Sequence, residues 1–142
     1  MNDYYNNYNA VPLNNPEFIS PGYNGRGSAI QFIRNRSQCL SIVNHMDFYN
    51  KSFTVEAWVY PFTVYIPVQL EMAVYSQINS TITGQYMFTS IRSGKILGAF
   101  YAGDVVGSTI FQENQWQHFA FTYNLTTKTQ TAYFNGISGN KI

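Results

Sequence analysis

The chain has 142 residues, 45% hydrophobic and only 11% charged, with a formal net charge of +1. That length suits one domain with a core of its own, and a near-neutral balance without a Lys/Arg run excludes a nucleic-acid surface built on phosphate contacts. No apolar stretch approaches the roughly 20 residues of a membrane helix, and Met1 to Asn9 carries neither the basic region nor the apolar core of a secretory leader.

Tyrosine (12) and phenylalanine (11) make up most of the aromatic content, and both favour strands. With few ions, surface polarity must come from Asn, Ser, Thr and Gln. Cys39 is the only cysteine, so no internal disulfide can form. Within Cys39-Leu40-Ser41-Ile42-Val43 it is expected to be a small buried apolar residue.

In chain order, residues 1–24 are rich in Asn, Tyr and Pro and show no sustained period. They read as a loosely ordered arm with one short strand near Glu17 to Ser20, punctuated by Asn15-Pro16 and Pro21-Gly22. After Gly25-Arg26-Gly27 the pattern changes to short strands: Ala29 to Ile33, then Cys39 to Val43. Phe53 to Tyr60 alternates most clearly, with Phe53, Val55, Ala57 and Val59 on one face and Thr54, Glu56, Trp58 and Tyr60 on the other. Pro61 ends it. Leu70 to Gln77, Gln85 to Ile91, Lys95 to Tyr101 and Val105 to Phe111 follow, with turns at Ser93-Gly94 and Ala102-Gly103-Asp104. Trp116 to Tyr123 places Phe119, Phe121 and Tyr123 on one face, and Thr129 to Asn135 closes the series at Asn135-Gly136. Short strands recurring without a helical stripe predict an all-β sandwich or barrel.

Four segments carry a resemblance. Gly25-x-Gly27-Ser28-Ala29-Ile30-Gln31-Phe32, FTVEAWVYP at Phe53 to Pro61, WQHFAFTYN at Trp116 to Asn124, and AYFNG at Ala132 to Gly136 occur in that order. The chain from about residue 25 to 136 resembles the laminin-G-like jelly-roll domains of the concanavalin A-like lectin/glucanase superfamily. The resemblance implies an antiparallel jelly-roll β-sandwich over residues 25–142, preceded by the 1–24 arm. The family continues past the "NG" hairpin with a further strand, so the C-terminal strands are expected to be missing, leaving an open sheet edge beside Ala29 to Ile33. It also implies a non-catalytic, lectin-like recognition module of a larger extracellular or cell-surface protein. Its ligand would be a glycan or an extracellular protein, as in cell adhesion, with no nucleic acid and no membrane insertion. A structural fragment without a ligand is the alternative, and a glycoside hydrolase comes third.

The residues weigh against the hydrolase. Glucanases of the superfamily place paired carboxylates on one strand, as acid–base work across a glycosidic bond demands, whereas Glu56 is the only acid in its strand. Calcium-binding relatives use clustered acids. The acids here are scattered, and Asp104 is the best single candidate, read mainly as a turn residue. His45 and His118, the only histidines, lack neighbours that would complete a metal or nucleophile site, and His118 reads as a packed structural residue. Sugar sites combine an aromatic platform with Asn, Gln and Asp side chains on loops. Asn79, Tyr86, Tyr101, Asp104 and Asn114 are the candidates, among similar residues such as Tyr65 and Gln115. Trp58 and Trp116 are expected in the core. Sequons at Asn35, Asn50, Asn79 and Asn124 mark candidate glycosylation sites and favour an extracellular setting.

Overall fold

The computed structural model describes residues 1–64, 71–78, 86–100 and 103–142. Twelve strands run through them: β1 Ala10–Leu13, β2 Glu17–Ile19, β3 Ala29–Gln31, β4 Cys39–Ile42, β5 Phe53–Val59, β6 Met72–Ile78, β7 Tyr86–Arg92, β8 Lys95–Phe100, β9 Gly103–Ile110, β10 Gln117–Asn124, β11 Thr129–Phe134 and β12 Ile137–Lys141. The helical elements among the described residues are two single 3-10 turns, Tyr23–Gly25 and Arg34–Arg36. No helix there is long and apolar enough to cross a membrane.

The chain divides into two compact units, Met1–Asp47 and Phe48–Ile142. The first holds two antiparallel ribbons, β1 with β4 and β2 with β3. Residues 25–47 thus pair with the Asn-rich segment that precedes them. Pro12 is accommodated because its ribbon has only two strands. Gly22 is the only buried residue of this unit. Cys39, expected to be buried, is exposed: it opens a four-residue strand in a thin ribbon that offers no interior.

The second unit contains the core. Its two antiparallel sheets have the orders β12-β11-β10-β5 and β6-β7-β8-β9. The chain leaves the first sheet after β5, runs β6 to β9 as a meander, and returns so that β10 pairs with β5 from Gln117↔Val59 to Tyr123↔Phe53. Period-two spacing decides what points inward. Phe119, Phe121 and Ala132 from one sheet meet Met87, Ile91, Ile96 and Val105 from the other, with Phe53, Val55, Ala57 and Val59 packed against them. Phe100 links the layers, its ring 5.8 Å from that of Phe121 and 5.7 Å from that of Phe53.

The turns follow from local chemistry. Ser93 and Gly94 (φ 48° and 75°) close the β7–β8 hairpin, and Asn135 and Gly136 (φ 47° and 78°) close β11–β12, the paired positive φ values that a two-residue hairpin needs. At the seam between the sheets, Asn140 Nδ2 on β12 donates to the Val106 carbonyl on β9 at 2.5 Å. The β9–β10 connection is latched by buried Gln117. Its Nε2 donates to the Gln112 carbonyl (2.6 Å) and its Oε1 accepts from the Gln112 N–H (2.8 Å).

Two expectations are corrected, one by strand parity and one by the extent of β9. Trp58 is 45% exposed rather than in the core, because it shares a face with Thr54 and Glu56 while Phe53, Val55, Ala57 and Val59 point inward. Asp104 is not a turn residue but lies in β9, paired with Ala99. Trp116 is half-buried, its ring 5.5 Å from that of Tyr60.

Candidate binding site

The outer face of the β6–β9 sheet follows from the inner one. With Met87 and Ile91 in the core, alternation turns Tyr86, Phe88, Ser90 and Arg92 of β7 outward. On β8 Gly98 faces the opposite sheet, since a Cβ there would meet Phe121, so Leu97 and Ala99 face outward. Both are nevertheless fully buried.

A charged network spans this face. The Arg92 guanidinium grips the Glu71 carboxylate from the β6 side, with Nε at 2.5 Å and a second contact through Nη2. Its Nη1 stands 3.8 Å from Asp104 Oδ2 on β9, so the side chain reaches across β8. Ser90 Oγ donates to the second Glu71 oxygen at 2.6 Å. Beside the network, the Tyr86 and Phe88 rings lie 5.8 Å apart with planes tilted 37°. Both are half-buried. The face therefore brings ring surface, two carboxylates and a guanidinium together.

The network makes a prediction. Arg92→Ala would leave the Glu71 carboxylate, with 22% of its side chain exposed, short of its principal donor. The expected loss is about 1–2 kcal/mol, discounted for partial solvent access, and urea unfolding would measure it. A variant as stable as the parent would show that water replaces the guanidinium without cost.

The sequence candidates separate in space. Tyr86 and Asp104 come to one end of this face, because Phe88, Ala99 and Asp104 form one cross-strand row. Asn114 lies beyond the other end of β9, past Ile110. It is exposed at φ 58°, and its backbone N–H donates to the Pro61 carbonyl at 2.8 Å. Asn79 and Tyr101, like Tyr65, lie outside the described residues. Among the sequons, Asn35, Asn50 and Asn124 are exposed. Asn124 Oδ1 accepts from the N–H groups of Thr126 (2.9 Å) and Thr127 (3.1 Å) at the β10–β11 turn.

Sequence reasoning missed Glu71, Ser90, Arg92 and Phe88. Their meeting depends on the register of β6 against β7, which includes a shift between Ala73 and Tyr75 and leaves no trace in spacing. Among the described residues no three His, Cys, Asp or Glu side chains gather as a metal site. At Asp104 the Arg92 cation works against calcium, because like charges would share one carboxylate.

Two antiparallel four-stranded sheets packed face to face, carrying an aromatic and polar outer surface, define a lectin-like β-sandwich. The Laminin_G_3 family model, described as the concanavalin A-like lectin/glucanases superfamily, matches residues 34–140. The chain therefore belongs to this laminin-G-like family, and its fold is the jelly-roll sandwich. Such domains are generally non-catalytic, typically extracellular, and bind glycans or proteins. No curated protein and no solved structure matches the chain.

Proposed function

We propose that this chain is a non-catalytic recognition module that works outside the cell and binds glycan through the outer face of the β6–β9 sheet. The observation that carries the reading is the Tyr86–Phe88 ring pair beside the Glu71–Ser90–Arg92–Asp104 network. A sugar ring has an apolar C–H face, which suits aromatic surface, and a rim of hydroxyls, which suits charge-assisted hydrogen bonds. Family membership and the exposed sequons at Asn35, Asn50 and Asn124 support the extracellular setting. The non-catalytic reading is supported by Glu56, the only acid of β5, whose carboxylate faces His118.

The test is a glycan array probed with the whole chain, with and without calcium, followed by titration of any glycan that binds. The parent is expected to bind a defined set of glycans, and Tyr86→Ala and Arg92→Ala to weaken binding about tenfold or more. An array blank in both conditions would remove the glycan reading and leave protein as the ligand class.

A further inference from the structure

The strands that end the two sheets, β12, β5, β6 and β9, are not alike. Three of them are bulged. Gly139 and Asn140 of β12 together oppose Ala132, Val74 is an extra residue in β6, and residues 107–109 of β9 oppose Ile96. A bulge breaks the regular ladder and turns an edge away from further pairing. β12 and β9 are moreover tied to each other by Asn140. β5 has no bulge. Its seven residues, Phe53–Val59, stand in unbroken register with β10, and neither Pro nor Lys interrupts them. Alternate residues turn their N–H and C=O groups away from β10, towards an edge where no described strand lies. The apolar row is also left half-covered here. Phe53, Val55, Ala57 and Val59 point inward but are only half-buried, whereas Phe119 and Phe121 on β10 are fully buried.

We infer that β5 is a docking edge for an extended, basic segment of another protein, which adds to the sheet as a further strand. The pattern of β5 states what that segment carries. Its residues opposite Phe53, Val55, Ala57 and Val59 face the core side and are apolar. Its residue opposite Glu56 stands on the outer face and is lysine or arginine. Glu56 is the only charged residue of β5, and 64% of its side chain is exposed. His118 Nε2 stands 3.7 Å from its Oε2, beyond hydrogen-bond range, so the carboxylate is open to a basic partner across the strands. The same residue argues against a second copy of this chain as the occupant. Full antiparallel overlap of two β5 strands would bring the two Glu56 carboxylates directly opposite each other, which is unfavourable. Sliding the strands by two residues relieves the clash of charge but gives up two of the seven pairs. The edge shares no residue with the outer face of β6–β9 and stands or falls independently of it.

The test is an NMR titration of the full chain with the capped peptide TVTVRVTVT. It sets valines at the inward positions and arginine opposite Glu56, and it reads the same in both directions, so it fits β5 antiparallel or parallel. Saturable shifts are expected along β5, with alternate β5 amides gaining protection from hydrogen exchange. Glutamate in place of the arginine should weaken binding about fivefold to tenfold. Glu56→Lys should reverse the preference between the two peptides, and the milder Glu56→Gln should bring them level. No saturable shift on β5, or equal binding of the two peptides by the parent, would overturn the proposal. So would β5 amides as protected as those of β10 before any peptide is added, because the edge would then already be paired. A dimer in sedimentation that the peptide dissociates would also overturn it, by making a second copy the occupant.

Discussion

Phe121→Ala is expected to lower stability by about 3–5 kcal/mol, read as a shift of the urea midpoint at constant slope. The residue is fully buried at the centre of β10. Its ring lies 6.2 Å from that of Phe53 on the neighbouring strand and 5.8 Å from that of Phe100 on the opposite sheet. Truncation removes contacts to both layers and leaves a void, because neighbours held by two sheets cannot close in. Domains are typically stable by only about 5–15 kcal/mol, so this loss is a large share of the total. Ile137→Ala is the comparison: 75% exposed on β12, it should change stability by no more than about 0.5 kcal/mol. Equal losses at the two positions would mean that Phe121 is not where the layers meet.

Gly98→Ala is expected to cost about 2–3 kcal/mol, towards the upper end of the usual range for overpacking. The reason is space. A Cβ built on Gly98 would lie 2.1 Å from Phe121 Cδ2, 2.2 Å from Cε2 and 2.8 Å from Cγ. The phenyl ring fills the place where a side chain would stand, and it cannot swing away because Phe53 and Phe100 confine it. A thermal melt compared with the parent would show the loss, and a melting temperature unchanged by the added methyl would contradict the close approach of these strands.

Much of the second unit was legible because its chemistry is local. Alternation in Phe53 to Val59 and Gln117 to Asn124 named the inward residues, and Ser93-Gly94 and Asn135-Gly136 named the turns. β12 was missed because Ile137-Ser138-Gly139-Asn140-Lys141 has one apolar residue and so no alternation; the Asn-Gly turn holds it against β11, and Asn140 ties it to β9. β1 was missed because Ala10-Val11-Pro12-Leu13 reads as an interrupted run, and only pairing with Cys39 to Ile42 makes it a strand. The candidate face was half legible. Aromatic and acidic residue types pointed to Tyr86 and Asp104, but Glu71 and Arg92 lie 21 residues apart and meet only through strand pairing. Trp58 was misplaced because its strand motif resembles the family's core, although its parity with Glu56 already put it outside.

The proposed glycan surface is an outer face, and it is outer only if Gly98 and Phe121 point at each other between the sheets. A double-mutant cycle on this pair tests that most directly. With Phe121 cut to alanine, the space that its ring filled can receive a methyl at position 98, so Gly98→Ala should become nearly harmless and the coupling should reach about 2 kcal/mol. Strictly additive losses would mean that the two residues do not meet, and the inward and outward assignments on both sheets would fail with them.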